Sequence, residues 1–186
     1  MDVIEAIKKR RAYRSLKPFK VTNNLIKDLA ECARIAASCF NNQPWKYIFV
    51  YDPKKLKEMH EALSSGNKWA FKASLIIAVL GKKEDDCVIH DREYYRFDIG
   101  MATAQMILRA VELNLVAHPI AGYSPKKTRE ILNIPDNIDV ISLVIVGEHS
   151  DKINPDMSDK QIEAEKIRPE RIPLKDFIFH NKYRVR

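Results

Sequence analysis

Three arginines fall within five residues in the run Arg10-Arg11-Ala12-Tyr13-Arg14. Guanidinium groups grip phosphate and carboxylate in a two-pronged way that lysine cannot match. A second run, Ser38-Cys39-Phe40-Asn41-Asn42-Gln43-Pro44-Trp45, lines up a hydroxyl, a thiol and three side-chain amides. Amides both donate and accept, so this run is able to read the edge of a planar heteroaromatic ligand. It also suits a polar helix-to-strand connection, with Pro44 stopping the helix and Trp45 starting the core. Further cations close the chain: Arg168, Arg171, Lys175, Lys182, Arg184 and Arg186. With a net charge of +7 the chain should attract polyanions or phosphorylated ligands. A solvated surface accounts for many of these charges, and a phosphate pocket built from both ends of the chain is the sharper reading.

Other classes are disfavoured. The 186 residues suit one domain, and 46% hydrophobic with 31% charged residues is an ordinary globular balance. No apolar run approaches the ~20 residues of a membrane span. The acidic start Met1-Asp2-Val3-Ile4-Glu5 is not a secretory signal, so the cytoplasm is the expected compartment. Cys32, Cys39 and Cys87 form no CxxC pair, and the five histidines are scattered. Neither a disulfide nor a metal centre is expected. A basic nucleic-acid-binding module is the competing class, but no recognition helix, RNA-binding aromatic motif or zinc finger is present.

These runs must be positioned by helices and strands. Asp2 and Glu5 form a capping box for a first helix that ends in Lys8 to Arg11. A second helix opens near Thr22 or Asn23 and repeats Leu25, Ile26, Leu29, Cys32, Ala33 and Ala36. Trp45 to Tyr51 reads as a strand, Lys54 to Leu63 as a helix, and Ser64 to Asn67 as a turn. Leu75 to Leu80 is a continuous apolar run suited to the middle of a sheet. The charged segment from Gly81 to Arg96 is compatible with a loop, a lid or part of a helix. Asp98 is read as the N-cap of the longest helix, which runs to about Asn114 and is apolar nearly all round. Leu115 to Gly122 is extended, Ser124-Pro125 opens a helix to about Leu132, and Val140 to Val146 is a last strand ended by Gly147. Glu148 to Arg168 is polar without periodicity. Beyond it Ile172, Leu174, Phe177, Ile178 and Phe179 are too apolar for water, and a neighbouring subunit is the expected surface.

The arginine run and the Ser38–Trp45 run, in this order, resemble the FMN-dependent nitroreductase family. Asp98-x-Gly100 before the central helix, Pro119-Ile120-Ala121-Gly122-Tyr123, and the basic run Arg168 to Leu174 extend the resemblance over nearly the whole chain. Ala12 replaces a usual serine, Ala37 a usual proline, and Asn114 a usual glycine. The resemblance implies an α+β fold: a three-layer α/β/α sandwich with a mixed, mostly antiparallel central sheet. It implies an intertwined homodimer, with residues 148–186 as an arm on the partner. The expected activity is an oxidoreductase passing electrons from NADH or NADPH through FMN to a nitroaromatic, quinone or similar acceptor, in ping-pong order. Reductive dehalogenation or flavin breakdown is the alternative chemistry on the same fold.

The resemblance also assigns roles. Arg10 and Arg171 would clasp the FMN phosphate, with Arg11, Ala12 and Arg168 in the same basic set; Arg11 would act mainly through its backbone, and Ala12 lacks the usual hydroxyl. Arg14 would lie by the pyrimidine side of the ring, where a fixed cation favours the reduced anion. Ser38, Cys39 and Asn41 would reach the flavin of the other subunit, and Asn67 the ring edge. Pro119, Ile120, Ala121 and Gly122 would offer backbone groups near the redox-active nitrogen. No side chain stands out as a catalytic acid, base or nucleophile.

Overall fold

A computed structural model describes residues 1–183, so Arg184 and Arg186 lie outside the described residues. Helix α1 (Val3–Lys9) carries the expected capping box, and its chain turns off at Arg10. Strand β1 (Leu16–Lys17) follows, then α2 (Asn23–Arg34), capped by the Thr22 hydroxyl, and β2 (Lys46–Val50). Asp52 caps α3 (Pro53–Met59), which runs into short 3₁₀ turns reaching Lys72. Strand β3 (Leu75–Gly81) is buried along its whole length.

The charged middle segment resolves into a 3₁₀ turn and an exposed hairpin, β4 (Val88–Ile89) with β5 (Arg92–Glu93). Helix α4 (Tyr95–Glu112) begins earlier than expected. Asp98 is therefore not its N-cap but lies buried in the first turn, where its carboxylate accepts from the Cys39 N–H at 2.6 Å. Strand β6 (Leu115–Ile120) leads to α5 (Pro125–Leu132), capped by Ser124 as read from the sequence.

Strand β7 (Asp139–His149) runs through Gly147 instead of ending there. A Cβ at Gly147 would sit 3.1 Å from the Leu16 Cβ, so the glycine admits β1 rather than stopping the strand. The segment expected to be aperiodic contains α6 (Asp159–Lys166), opened by a Ser158–Gln161 capping box.

Strand β7 is the spine of the sheet. It pairs with β3 on one side and β6 on the other, and β2 pairs with the far edge of β3. Glu148 faces Lys17 of β1 on one side and Leu115 on the other. Among the described residues every strand pair is antiparallel, narrower than the mixed sheet expected.

Alternation along β3 explains its continuous apolar run. Leu75, Ile77 and Val79 face a core built with α2 and α4, around Leu29, Ala33, Ile99 and Met106. Ile76, Ala78 and Leu80 face a second core with Met59, Trp69, Ile134 and Met157. A sheet covered on both faces has no polar side, which is why the run shows no period of two. The layers are thus helix, sheet, helix.

Candidate functional site

The turn after α1 and the segment after α6 meet in one cleft of about 170 Å³. Its lining includes Arg10, Arg11, Ala12, Arg14, Arg168 and Arg171. The basic groups from both ends of the chain therefore stand together. Two of them fasten the cleft. Arg11 Nη2 donates to the Ala164 and Glu165 carbonyls at 2.8 and 3.0 Å, covering the C-terminal end of α6. Its side chain thus has a structural task beyond the backbone contribution expected of it. Arg168 Nη2 donates to the Lys8 and Arg10 carbonyls at 2.5 and 3.0 Å, doing the same for α1. Each end of the chain caps a helix of the other, satisfying carbonyls that a helix terminus leaves open.

Arg10, Arg14 and Arg171 are left facing the cleft. Burial, and then the charges of Arg171 and Arg168, push the Arg10 guanidinium below its usual basicity. Burial does the same to Arg14, against an opposing pull from Glu165. Arginine stays charged through shifts of this kind. The Nε of Arg14 is buried with no hydrogen-bond partner among the described residues. A like-charged cluster with an orphaned donor suits an anion rich in acceptor oxygens, such as a phosphate group.

One residue that holds this cleft was not read from the sequence. The buried Glu165 carboxylate accepts from the Arg14 and Ser15 backbone N–H groups, each at 2.8 Å. A lone glutamate in a polar stretch carries no signal of this duty; only the unrecognised capping box at Ser158 pointed to a helix that would present it.

From Arg14 a chain of contacts leads to the other predicted residues. The Arg14 guanidinium lies 5.9 Å from the Trp69 ring centre. Trp69 Nε1 donates to Asn67 Oδ1 at 3.0 Å, and Asn67 Nδ2 donates to the Gly122 carbonyl at 2.9 Å. A Cβ at Gly122 would meet Asn67 Nδ2 and Ser64 Oγ at 2.5 Å, so the space the glycine opens is filled by its own chain. Pro119 and Ala121 are exposed and Ile120 is buried in the second core. Beneath them His118 stacks on Trp69 at 4.8 Å and its Nδ1–H donates to the Tyr13 carbonyl at 3.1 Å. Burial, with Arg14 and Arg10 nearby, pulls His118 down to about 4, so it is neutral at pH 7.

Ser38, Cys39 and Asn41 do not line the arginine cleft. They form a tight loop in which Phe40, Asn41 and Gln43 all have positive φ. Ser38 Oγ accepts from the Gln43 N–H at 3.0 Å, and the Gln43 amide donates to the Asn41 carbonyl at 3.1 Å. Phe40 at the tip is 86% exposed. Contrary to the reading of the cysteines, Cys39 is disulfide-bonded to Cys87, bolting this loop to the charged middle segment. The odd count misled because Cys32 alone is free.

A single chain thus offers a phosphate-sized cleft, well below the ~300–1,000 Å³ of a full cofactor pocket, while the amide-rich loop sits elsewhere. No helix among the described residues is long and apolar enough to cross a membrane.

The family model described as Nitroreductase family matches residues 7–70 and 60–148. A protein of Archaeoglobus fulgidus, provisionally named NADH dehydrogenase/NAD(P)H nitroreductase, is 28% identical over 168 residues, spanning 83% of this chain and 95% of that protein. An NADH dehydrogenase of Thermus thermophilus is 27% identical over 180 residues, 79% of this chain and 86% of that protein. The crystal structure of an oxidoreductase containing FMN superposes with a TM-score of 0.83 at 23% identity, over 100% of this chain and 94% of that one. A further solved fold, from Clostridium difficile 630, has a TM-score of 0.80 at 23% identity, over 98% of this chain and 100% of that one.

Proposed function

We propose, because this chain belongs to the nitroreductase family, that it is an FMN-dependent oxidoreductase using NADH or NADPH. The acceptor class we assign is a nitroaromatic, quinone or similar conjugated electrophile, with donor and acceptor binding in turn. The observation that carries this reading is the convergence of Arg10, Arg14 and Arg171 on one cleft with a buried, unpartnered Arg14 nitrogen. Bound FMN would supply the hydride-accepting ring.

The chain's own residues divide the remaining work. Arg10 and Arg171 would hold the phosphate by charge-assisted hydrogen bonds. Arg14, whose backbone N–H is held by Glu165, would bring a positive charge to where negative charge develops on reduction. The exposed Pro119 and Ala121 backbone would bound the cofactor edge, and Asn67, whose side chain is bonded to Trp69 and the Gly122 carbonyl, would support it. Ser38, Cys39 and Asn41, which do not line this chain's own cleft, would serve the cofactor of a second subunit. Of the arm expected over residues 148–186, Asn154, Met157 and Glu165 are buried in this chain and Arg168 bonds its α1, so the part we assign to the partner lies beyond Arg171, where Ile172 and Leu174 are each 67% exposed.

Purified protein is expected to be yellow and to bind FMN. Arg10→Ala and Arg171→Ala should each weaken FMN binding about 10- to 100-fold, the value of one charged hydrogen bond. Fluorescence titration of the apoprotein measures this. Wild-type protein that takes up no FMN, or variants that bind it unchanged, would sink the assignment.

A further inference from the structure

The disulfide that joins the amide-rich loop to the charged middle segment has unusual company. Asp86 adjoins Cys87 in sequence, and its carboxylate and the two sulfur atoms lie within 4.8 Å of one another. Asp86 Oδ1 accepts from Asn42 Nδ2 at 3.3 Å, whereas its buried Oδ2 receives no N–H from the described residues. The Asn42 amide also reaches Cys87 Sγ at 3.5 Å. Behind the pair stands the buried Asp98, whose partner is the Cys39 N–H at 2.6 Å. Asp86 and Asp98 also share a side-chain hydrogen bond, and among the described residues neither carboxyl is paired with a lysine or arginine. Lys46 and Lys82 instead pair with the adjacent Asp85.

Two carboxyls in contact beside two sulfurs, with no cation paired to either among the described residues, make a poor arrangement for a purely structural disulfide. It is a good one for a borderline-soft cation once the sulfurs are thiolates. We propose that Cys39, Cys87 and Asp86 form a redox-gated zinc-class site, closed while the disulfide stands and opened by its reduction. A dithiol breaks the S–S bond by thiol–disulfide exchange, giving two protein thiols, and itself becomes a disulfide; two electrons and two protons pass to the protein. Cation binding then releases both thiol protons to solvent and leaves two thiolates and one carboxylate as ligands. Tetrahedral zinc takes a fourth ligand, for which water has access because the three residues are only half-buried.

Two features of the backbone support gating. The loop holds Phe40, Asn41 and Gln43 at positive φ, a set of conformations that needs external fixing for residues with side chains. A metal bridge between the same two cysteines would keep that fixing where a reducing compartment removes the disulfide. The proposal uses no residue of the arginine cleft and shares only Cys39 with the flavin assignment, so zinc retention and flavin content, counted separately, keep the two distinguishable.

The test uses the full chain as purified, with flavin content recorded in parallel. Protein treated with a dithiol and then freed of it anaerobically, and protein left oxidised, are each equilibrated with zinc ion and ultrafiltered; retained zinc is counted by elemental analysis. Reduced protein should keep about one zinc per chain and oxidised protein essentially none. Asp86→Asn should lower the affinity of the reduced form at least ~10-fold, and Cys87→Ser, which cannot form the disulfide, should retain no zinc after either treatment. Cys32→Ser should change nothing. Circular dichroism confirms that each variant is folded. Equal retention by oxidised and reduced protein, none by reduced protein, or full retention by folded Asp86→Asn would overturn the site.

Discussion

At the scale of single residues, the arginine cleft rests on groups of opposite visibility. Arg10, Arg14 and Arg171 are legible because guanidinium clusters are rare and chemically pointed. His118 was not, since a lone histidine before a proline has no sequence signal. Yet it lies under the cleft, stacked on Trp69, and burial lowers it from 6.5 to about 4. A base whose folded value is depressed binds its proton more readily in the unfolded chain. Stability therefore falls as pH drops below 6.5, and the loss is complete near 4. The contribution is on the order of 3 kcal/mol. His118→Phe keeps a ring against Trp69 and should remove most of that acid sensitivity. Denaturant midpoints at pH 7 and pH 4.5 would show the gap narrowing; an unchanged gap would clear His118 of the effect.

At the scale of elements, the sequence spoke where local chemistry decides. Helix caps at Asp2 and Ser124 are each settled by one side chain reaching a nearby N–H, and the structure shows those bonds. It was silent where a distant partner decides. Gly147 looked like a stop because its use, admitting Leu16, depends on a strand more than a hundred positions away. Asp98 looked like a cap because its partner, the Cys39 N–H, lies on another element. The Cys39–Cys87 bond was hidden for the same reason. Helix α6 was missed although its box is local, since the polar stretch around it masked the signal. That helix matters through Glu165, which holds Arg14 and Ser15. Glu165→Gln keeps the shape but leaves one amide facing a donor instead of an acceptor. It should cost about 1–3 kcal/mol in thermal or chemical unfolding and weaken FMN binding as well. A stability loss with FMN affinity intact would confine Glu165 to the fold.

At the scale of the whole molecule, one chain looks unfinished. The strand β2 has one sheet neighbour, β3, and leaves its other edge open among the described residues. The tail presents Leu174 and Phe177 at 67% and 52% exposure. A cleft of phosphate size and an apolar arm both ask for a second copy. The double substitution Leu174→Glu with Phe177→Glu should therefore shift sedimentation from dimer toward monomer and make FMN retention depend on protein concentration. Wild-type protein that sediments as a monomer at micromolar concentration would remove the basis for this prediction.

The place of β7 in the chain has a bearing on how the protein comes off the ribosome. Its neighbours β3 and β6 are synthesised first, yet they share no border until residues 139–149 slide between them. A nascent chain ending before Asp139 exposes the apolar flanks of both and has nothing to zip them together, a state open to mispairing with other chains. Closure of the sheet is thus deferred almost to the last stretch of translation, and premature termination there would yield an aggregation-prone fragment rather than a smaller enzyme.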